Sequence, residues 1–139
     1  MASSRELLKP DPIVEAFACQ VIGAAMTVHT ALGPGLIEAV YKEAMKIELR
    51  ELRIPFVADK PIEIHYREKL VGRSFADLLV GGVLIVELKA VKSLHEAHMA
   101  QALHYLYAGG YKLGLLLNFH EAHMRDGIRR VVANRPRAE

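Results

Sequence analysis

The sequence contains one cysteine, no tryptophan and no long apolar run. The lone Cys19 cannot form a disulfide within the chain, and because it lies in an apolar helical stretch we expect a buried, inert thiol. No apolar stretch reaches the roughly 18 residues that span a bilayer, since the richest one, residues 78–86, is followed at once by Glu87. Residues 1–12 lack the basic and then apolar order of a signal peptide. A cytoplasmic protein is therefore expected.

A large excess of charge is also absent, because the formal net charge is only +2. This value is too small to indicate nucleic-acid binding by itself. Arginines nevertheless make the C-terminus locally basic, at Arg125, Arg129, Arg130, Arg135 and Arg137. A solvated basic tail and a contact with phosphate groups are both open interpretations of this cluster.

The length of 139 residues, with 52% hydrophobic and 24% charged residues, is typical of one globular domain with its own core. Because this composition provides enough apolar surface to offset chain entropy, disorder is expected only at the ends. We predict a flexible lead-in over residues 1–11, a single domain over residues 12–133 and a basic disordered tail over residues 134–139.

Hydrophobic periodicity predicts two helices before any strand. The first begins at Pro12, directly after Asp11, and ends near Leu32, because apolar residues recur in it at helical spacing. The glycines and proline of residues 33–35 interrupt the pattern. A second helix is predicted over residues 36–52, where charged residues alternate with apolar ones.

After Pro55 the sequence changes to short apolar or alternating runs, which predict the strands of one sheet. These runs are residues 56–57, 62–66, 70–80 and 83–91. A third helix is predicted over residues 93–107, a buried strand over residues 113–119, and a short final strand or helix near residues 128–132. The order α-α-β-β-β-α-β predicts an α/β fold with helices on a mixed sheet, because a strand that leaves through a helix usually returns parallel.

The apolar hairpin around Gly81-Gly82 contains three charged residues, Asp77, Glu87 and Lys89. Side chains alternate along a strand, so Glu87 and Lys89 point to the same face. A two-residue loop would set Asp77 opposite Val86, on the wrong face. A three-residue loop, or a bulge at a glycine with positive φ, would instead pair Asp77 with Glu87. A shared acidic site therefore requires such a loop or bulge.

Charged residues in so apolar a run are costly to bury unless they are paired or bind a metal. One interpretation is a metal site shared by Asp77 and Glu87. The alternative is a strand end at which Lys89 offsets the charge of Glu87 at the surface.

Histidines occur in two near-identical pieces, His-Glu-Ala-His-Met at residues 95–99 and again at residues 120–124. Histidines three residues apart on a helix can share a zinc ion. Two ligands do not complete a zinc site, however, and no cysteine cluster accompanies them. Solvated or substrate-facing histidines are therefore the preferred interpretation.

Residues 35–41, Gly-Leu-Ile-Glu-Ala-Val-Tyr, match the signature of the GxxExxY protein family, whose members are small relatives of PD-(D/E)xK nucleases. The chain resembles this family from about residue 21 to residue 132. Residues 32–36, 86–91 and 115–119 look like the corresponding stretches of the family. The resemblance implies a restriction-endonuclease-like core.

The resemblance also implies a metal-dependent nuclease site. Asp77 and Glu87 would be the metal carboxylates, and Lys89 the motif lysine. Glu38 would supply an additional acid from an early helix. Two further residues, Gln101 and Tyr105, resemble the QxxxY element of RecB-type nucleases.

Two positions depart from the family pattern. Phe75 stands where an arginine is often expected beside the motif aspartate, and Met99 stands where a polar residue is expected. Both departures concern contacts with the substrate more than binding of the metal. Tyr41, one helical turn after Glu38, is expected to position that glutamate.

A phosphodiester is hydrolysed when water is made nucleophilic and the charge that develops on the phosphate is stabilised. Mg²⁺ or Mn²⁺ does both and prefers oxygen ligands, which Asp77, Glu87, the carbonyl of Leu88 and Glu38 would supply. Lys89 would orient the attacking water or steady the phosphate. The expected protein is a Mg²⁺-dependent nuclease that acts on nucleic acid, with DNA as the preferred polymer because the superfamily mostly cuts DNA.

Two alternatives belong to other classes. One is a non-catalytic binding or assembly module that retains the nuclease fold. The other is a metal-dependent hydrolase of small phosphate esters, which is weaker because no glycine-rich phosphate loop is present. Because a small domain has little surface for gripping a polymer, a homodimer or a larger complex is expected.

Overall fold

The structure, a computed structural model, describes residues 11–133. Residues 1–10 of the predicted lead-in and residues 134–139 of the predicted tail lie outside the described residues. In chain order the elements are α1 (Pro12–Leu32), α2 (Glu38–Glu51), β1 (Phe56–Tyr66), β2 (Lys69–Val80), β3 (Leu84–Lys89), α3 (Glu96–Gly109), β4 (Leu113–Asn118), a 3₁₀ turn (Met124–Gly127) and β5 (Ile128–Val132).

The five strands of residues 11–133 form one sheet in the order β1-β2-β3-β4-β5. Strands β3 and β4 are parallel and are joined through α3, whereas the other neighbouring strands are antiparallel. The predicted α/β class, with a mixed sheet flanked by helices, is therefore confirmed. The last element within the described residues is strand β5, one of the two forms predicted near residues 128–132.

Strand β1 is longer than predicted, because the two short runs at residues 56–57 and 62–66 belong to one strand. Pro61 lies within this strand. Proline lacks the N–H that a central strand needs, but β1 is the outermost strand and tolerates it.

Two cores lie on opposite faces of the sheet. Helices α1 and α2 cover one face, and their core, called the α1–α2 core, includes Val21, Met45, Leu78, Val86 and Leu88. Helix α3 covers the other face, and its core, called the α3 core, includes Ala76, Ile85, Ala102, Tyr105 and Leu116. The charged residues of the hairpin thus lie between two helical layers, at the point where the pairing of β2 with β3 stops.

Helix α1 begins at the predicted residue because Asp11 caps it. The Asp11 carboxylate accepts hydrogen bonds from the backbone N–H of Ile13 at 2.9 Å and of Val14 at 3.4 Å. Cys19 is exposed, so the prediction of a buried thiol is wrong. Its neighbour Ala18 lies on the buried stripe, and one residue along a helix is a turn of roughly 100°, which carries Cys19 out of the core.

By length and composition, α1 is apolar enough to cross a membrane. From the sequence, no stretch of this kind was expected. Polar residues inside the helix had hidden this property. In the fold, 39% of the relevant window is buried, and the core helix of a globular protein passes the same test.

The loop between β2 and β3 has the odd length that a shared acidic site requires. Val80 pairs with Leu84, so residues 81–83 form a three-residue loop. Gly81 and Gly82 both have positive φ, at 61° and 72°. This register, continued past the last ladder pair, sets Asp77 opposite Glu87, as the sequence analysis required.

Candidate functional site

Strand β2 changes face at Asp77. Ala76 packs in the α3 core, whereas Leu78 packs in the α1–α2 core. Residues two apart on a regular strand would face the same way, so the strand turns over between them. Opposite Asp77 in the register of β1, Asp59 has a φ of 53°. The Asp77 side chain therefore lies at an irregular point of the β1–β2 pair. Residues from both helical layers come close to this point.

Asp77 and Glu87 are bound to each other's strands. The backbone N–H of Asp77 donates to Glu87 Oε1 at 2.8 Å, and the backbone N–H of Leu88 donates to Asp77 Oδ2 at 2.9 Å. These two hydrogen bonds lie just beyond Leu78 and Val86, the last backbone pair between β2 and β3. Each carboxylate is consequently fixed by a backbone donor.

Glu87 is only 4% exposed although it is an acid. Burial, reinforced by the negative charge of Asp77, raises the pKa of Glu87 from 4.5 to about 8, and the Asp77 N–H and Lys89 offset part of the effect. A carboxyl group in this setting becomes fully ionised at neutral pH when a cation neutralises it.

Residues of α3 complete the side of the site on which Glu87 and Lys89 lie. The Lys89 ammonium donates to Gln101 Oε1 at 3.4 Å. Tyr105 is buried, and its hydroxyl forms a hydrogen bond with Ser74. Burial, and then the charge of Glu87, raises the pKa of this hydroxyl. The predicted residues of β3 and α3 are thus brought together.

Helix α2 contributes from the opposite layer. Partial burial and the charge of Asp77 raise the pKa of Glu38, which places this carboxylate within the electrostatic reach of the site. Lys42 Nζ lies 3.3 Å from Asp77 Oδ1 and forms a second ion pair with Asp59. Burial lowers the pKa of Lys42, but the hydrogen bonds and charges of Asp59 and Asp77 raise it above its ordinary value.

Lys42 and Asp59 were missed in the sequence analysis. Lys42 is one helical turn after Glu38, so the spacing alone could have identified it as a neighbour on the same helix face. Asp59 gave no such signal, because it lies in the part of β1 that the sequence did not predict as strand.

Tyr41 organises the loop from which Glu38 emerges. Its hydroxyl donates to the carbonyl of Gly33 at 2.6 Å and accepts from the N–H of Leu36 at 3.1 Å. Its fully buried ring stacks on Phe119 with 4.6 Å between the ring centroids. These contacts fix the entry into α2, as expected of a residue that positions Glu38.

Asn118 fixes the chain just after Lys89. The buried carboxamide accepts from the N–H of Val91 at 3.0 Å and donates to the carbonyl of Val91 at 2.9 Å. The N–H of Phe119 donates to the carbonyl of Lys89 at 2.8 Å, which extends the parallel pairing past the last strand residue. Strand β3 is thereby held straight up to the motif lysine.

The histidines do not form a metal site in the described part of the chain. His98 Nδ1 accepts from the backbone N–H of His95 at 3.0 Å and so supports the first turn of α3. Partial burial and the charge of Lys89 lower the pKa of His98, which lies at the rim of the candidate site. His120 and His123 are exposed in the loop after β4.

The ligands for a metal ion are few. Within residues 11–133 no three or more histidine, cysteine, aspartate or glutamate side chains form a group that could hold a metal, so Glu38 does not complete one with Asp77 and Glu87. The pair Asp77 and Glu87 nevertheless suits a hard cation, because both groups are oxygen ligands fixed by the backbone, and because burial and then the charge of Asp77 raise the pKa of Glu87. Such ions ordinarily keep water among their ligands.

Positions that depart from the family pattern do not supply a polar group. Phe75 is exposed two residues before Asp77, and Met99 is half-buried and packs on the α3 core. Two of the C-terminal arginines are engaged within the fold: Arg130 pairs with Glu15, and Arg129 donates to backbone carbonyls. Arg125 is exposed. Arg135 and Arg137 lie outside the described residues.

A five-stranded mixed sheet between helical layers, with two acids and a lysine where β2 and β3 separate, defines a restriction-endonuclease-like fold. The model of the PD-(D/E)XK nuclease superfamily matches residues 15–131, and the chain belongs to this superfamily. No curated protein matches the chain.

Proposed function

We propose that the protein is a Mg²⁺-dependent nuclease that hydrolyses phosphodiester bonds in DNA, and that it belongs to the GxxExxY branch of its superfamily. The observation that carries the proposal is the reciprocal bonding of Asp77 and Glu87 to each other's strands, with Lys89 on the same face as Glu87. Two acids fixed in this way form a rigid oxygen site.

A hard divalent cation fits this site for electrostatic reasons. Burial and the negative charge of Asp77 raise the pKa of Glu87, and a cation placed between the two carboxylates would stabilise its ionised form most. Asp77 and Glu87 would hold Mg²⁺ or Mn²⁺, together with the carbonyl of Leu88 and, through a water molecule, Glu38. When bound, the ion would supply a nucleophilic water and polarise the phosphodiester.

The protein's own residues would orient the reacting groups. Lys89, held by Gln101, would direct the attacking water or steady a phosphate oxygen with its fixed positive charge. Tyr105, buried beside Glu87 and bonded to Ser74, would keep that carboxylate in place and exclude water from its far side. Tyr41 would hold Glu38 at the mouth of the site.

Partners and location follow from the same proposal. The domain would act on DNA in the cytoplasm, as a homodimer or within a larger complex that provides the grip on the polymer.

The test is cleavage of labelled single-stranded DNA, double-stranded DNA and RNA with Mg²⁺ or Mn²⁺. We expect metal-dependent cutting of DNA that Asp77→Asn abolishes and that Lys89→Met slows by at least about 100-fold, as for loss of one transition-state donor. Lys112→Met is the matched control, because it removes the same charge at a distance from the site. Lys112 pairs with Asp11 and lies just before β4, at the end of the parallel pair opposite to Lys89. Inactivity on every polymer, without Mn²⁺ binding in calorimetry, would overturn the proposal in favour of a non-catalytic module.

A further inference from the structure

Three charged groups meet where α2 crosses the irregular point of the sheet. The ammonium of Lys42 contacts Asp77 on one side and Asp59 on the other. The Lys42 side chain is only 19% exposed, although Asp59 is 62% exposed. The ammonium is therefore held between one carboxylate of β1 and one carboxylate of β2.

We infer that Asp59 and Asp77 form a second cation position of the site, and that the Lys42 ammonium fills it permanently, so that the protein works with one bound metal ion. This inference rests on the proposed function, since it takes the first position to be the metal site of Asp77 and Glu87.

Asp77 is oriented as a bridging carboxylate. Its Oδ2 accepts the Leu88 N–H on the side of Glu87, and its Oδ1 faces Lys42 on the side of Asp59. In two-metal phosphoryl-transfer sites the two cations lie about 3.5–4 Å apart and act together on one phosphate. Here the group on the Oδ1 side is an ammonium that the chain itself provides.

The charges agree with a single metal ion. Two lysines and one divalent cation together match the charge of the carboxylates within electrostatic reach. The acids are Glu38, Asp59, Asp77 and Glu87, and the lysines are Lys42 and Lys89. A second divalent cation would leave an excess positive charge in a partly buried site unless Lys42 moved away.

Lys42 differs from its neighbour one turn later. Lys46 has the same 19% exposed side chain on the same helix, but it pairs with Glu43 within α2 and does not contact the sheet acids in any ion pair of the described residues. Lys46→Met therefore removes the same charge from the same helix but leaves the cation position of Asp59 and Asp77 unchanged. It is the matched control.

The experiment counts bound Mn²⁺ by calorimetry and uses electron paramagnetic resonance to detect pairs of coupled Mn²⁺ ions. We expect one Mn²⁺ per chain in the wild type and in Lys46→Met, and two Mn²⁺ per chain with a coupled spectrum in Lys42→Met. The double variant Lys42→Met with Asp59→Asn should return to one ion, because the second position has lost a ligand. Asn is accepted at the positive φ of Asp59, so this change does not disturb the backbone.

Lys42→Gln serves as a second variant if Lys42→Met does not fold, which circular dichroism reports. A variant without the charge of Lys42 that still binds one Mn²⁺ with unchanged affinity overturns the inference and leaves the proposed function standing. A wild type that binds two Mn²⁺ also overturns it. A wild type that binds none contradicts the proposed function, and this inference with it.

Discussion

The backbone N–H of Asp77 donates to the Glu87 carboxylate at 2.8 Å, while the Asp77 carboxylate accepts from the residue that follows Glu87. Each acid therefore supports the strand that carries the other. Loss of either carboxylate affects backbone pairing as well as charge, so alanine variants would mix a structural effect with a chemical one. Asn and Gln, which keep an oxygen acceptor in place, are the more informative substitutions at these two positions.

Gly81 sets the register that pairs the two acids. A Cβ at Gly81 would lie 2.3 Å from the ring of Phe17, and the φ of 61° is unfavourable for any other L-residue. We expect Gly81→Ala to lower the free energy of unfolding by about 2–4 kcal/mol, from overpacking together with positive φ. Denaturation by urea measures this loss.

Gly82 provides the control for that substitution. Its φ is 72°, but nothing lies within 4 Å of a Cβ built there. Gly82→Ala should therefore cost only the backbone term, about 1–2 kcal/mol. Equal losses for the two alanine variants would show that the contact with Phe17 does not constrain the loop.

Tyr41→Phe removes one hydroxyl that makes two hydrogen bonds to the loop before α2. We expect a loss of about 1–3 kcal/mol in the free energy of unfolding, because the carbonyl of Gly33 and the N–H of Leu36 lose a partner. Tyr66→Phe is the control, since Tyr66 is exposed and its ring remains beside Arg67. A Tyr41→Phe protein as stable as Tyr66→Phe would contradict the role of the hydroxyl.

The pH dependence of stability in the metal-free protein should reveal the raised pKa of Glu87. Its pKa is about 8 in the folded protein and about 4.5 in an unfolded chain, so between these values the folded state holds a proton that the unfolded state has released. The free energy of unfolding therefore falls as pH rises through this window. Chemical denaturation at a series of pH values measures the slope.

Glu87→Gln removes this titrating group and should flatten that dependence. Glu51→Gln, an exposed acid at the end of α2, should leave the slope as in the wild type. A wild-type protein whose stability increases steadily from pH 5 to pH 8 relative to Glu87→Gln would contradict the raised pKa.

Local patterns in the sequence predicted much of the fold. The apolar spacing of α1 and the Asp11-Pro12 start describe interactions within a few residues, so they could be identified without knowing any tertiary contact. The loop at Gly81-Gly82 was also predictable, because only an odd loop sets Asp77 opposite Glu87, and paired glycines permit it. The α/β class followed from the order of these elements.

Other features depend on contacts between distant segments. The pairing of Asp59 with Asp77 requires the register of β1 on β2, and positive φ inside a strand has no clear sequence signal. The exposure of Cys19 depends on which face of α1 meets the sheet.

The most direct test of the central claim is to measure Mn²⁺ binding and Mg²⁺-dependent DNA cleavage on the same preparation of Glu87→Gln. The account predicts that the folded variant loses both properties, while Glu51→Gln keeps both at wild-type levels. A folded Glu87→Gln protein that binds Mn²⁺ and cuts DNA at the wild-type rate would contradict a metal-dependent site built on Asp77 and Glu87.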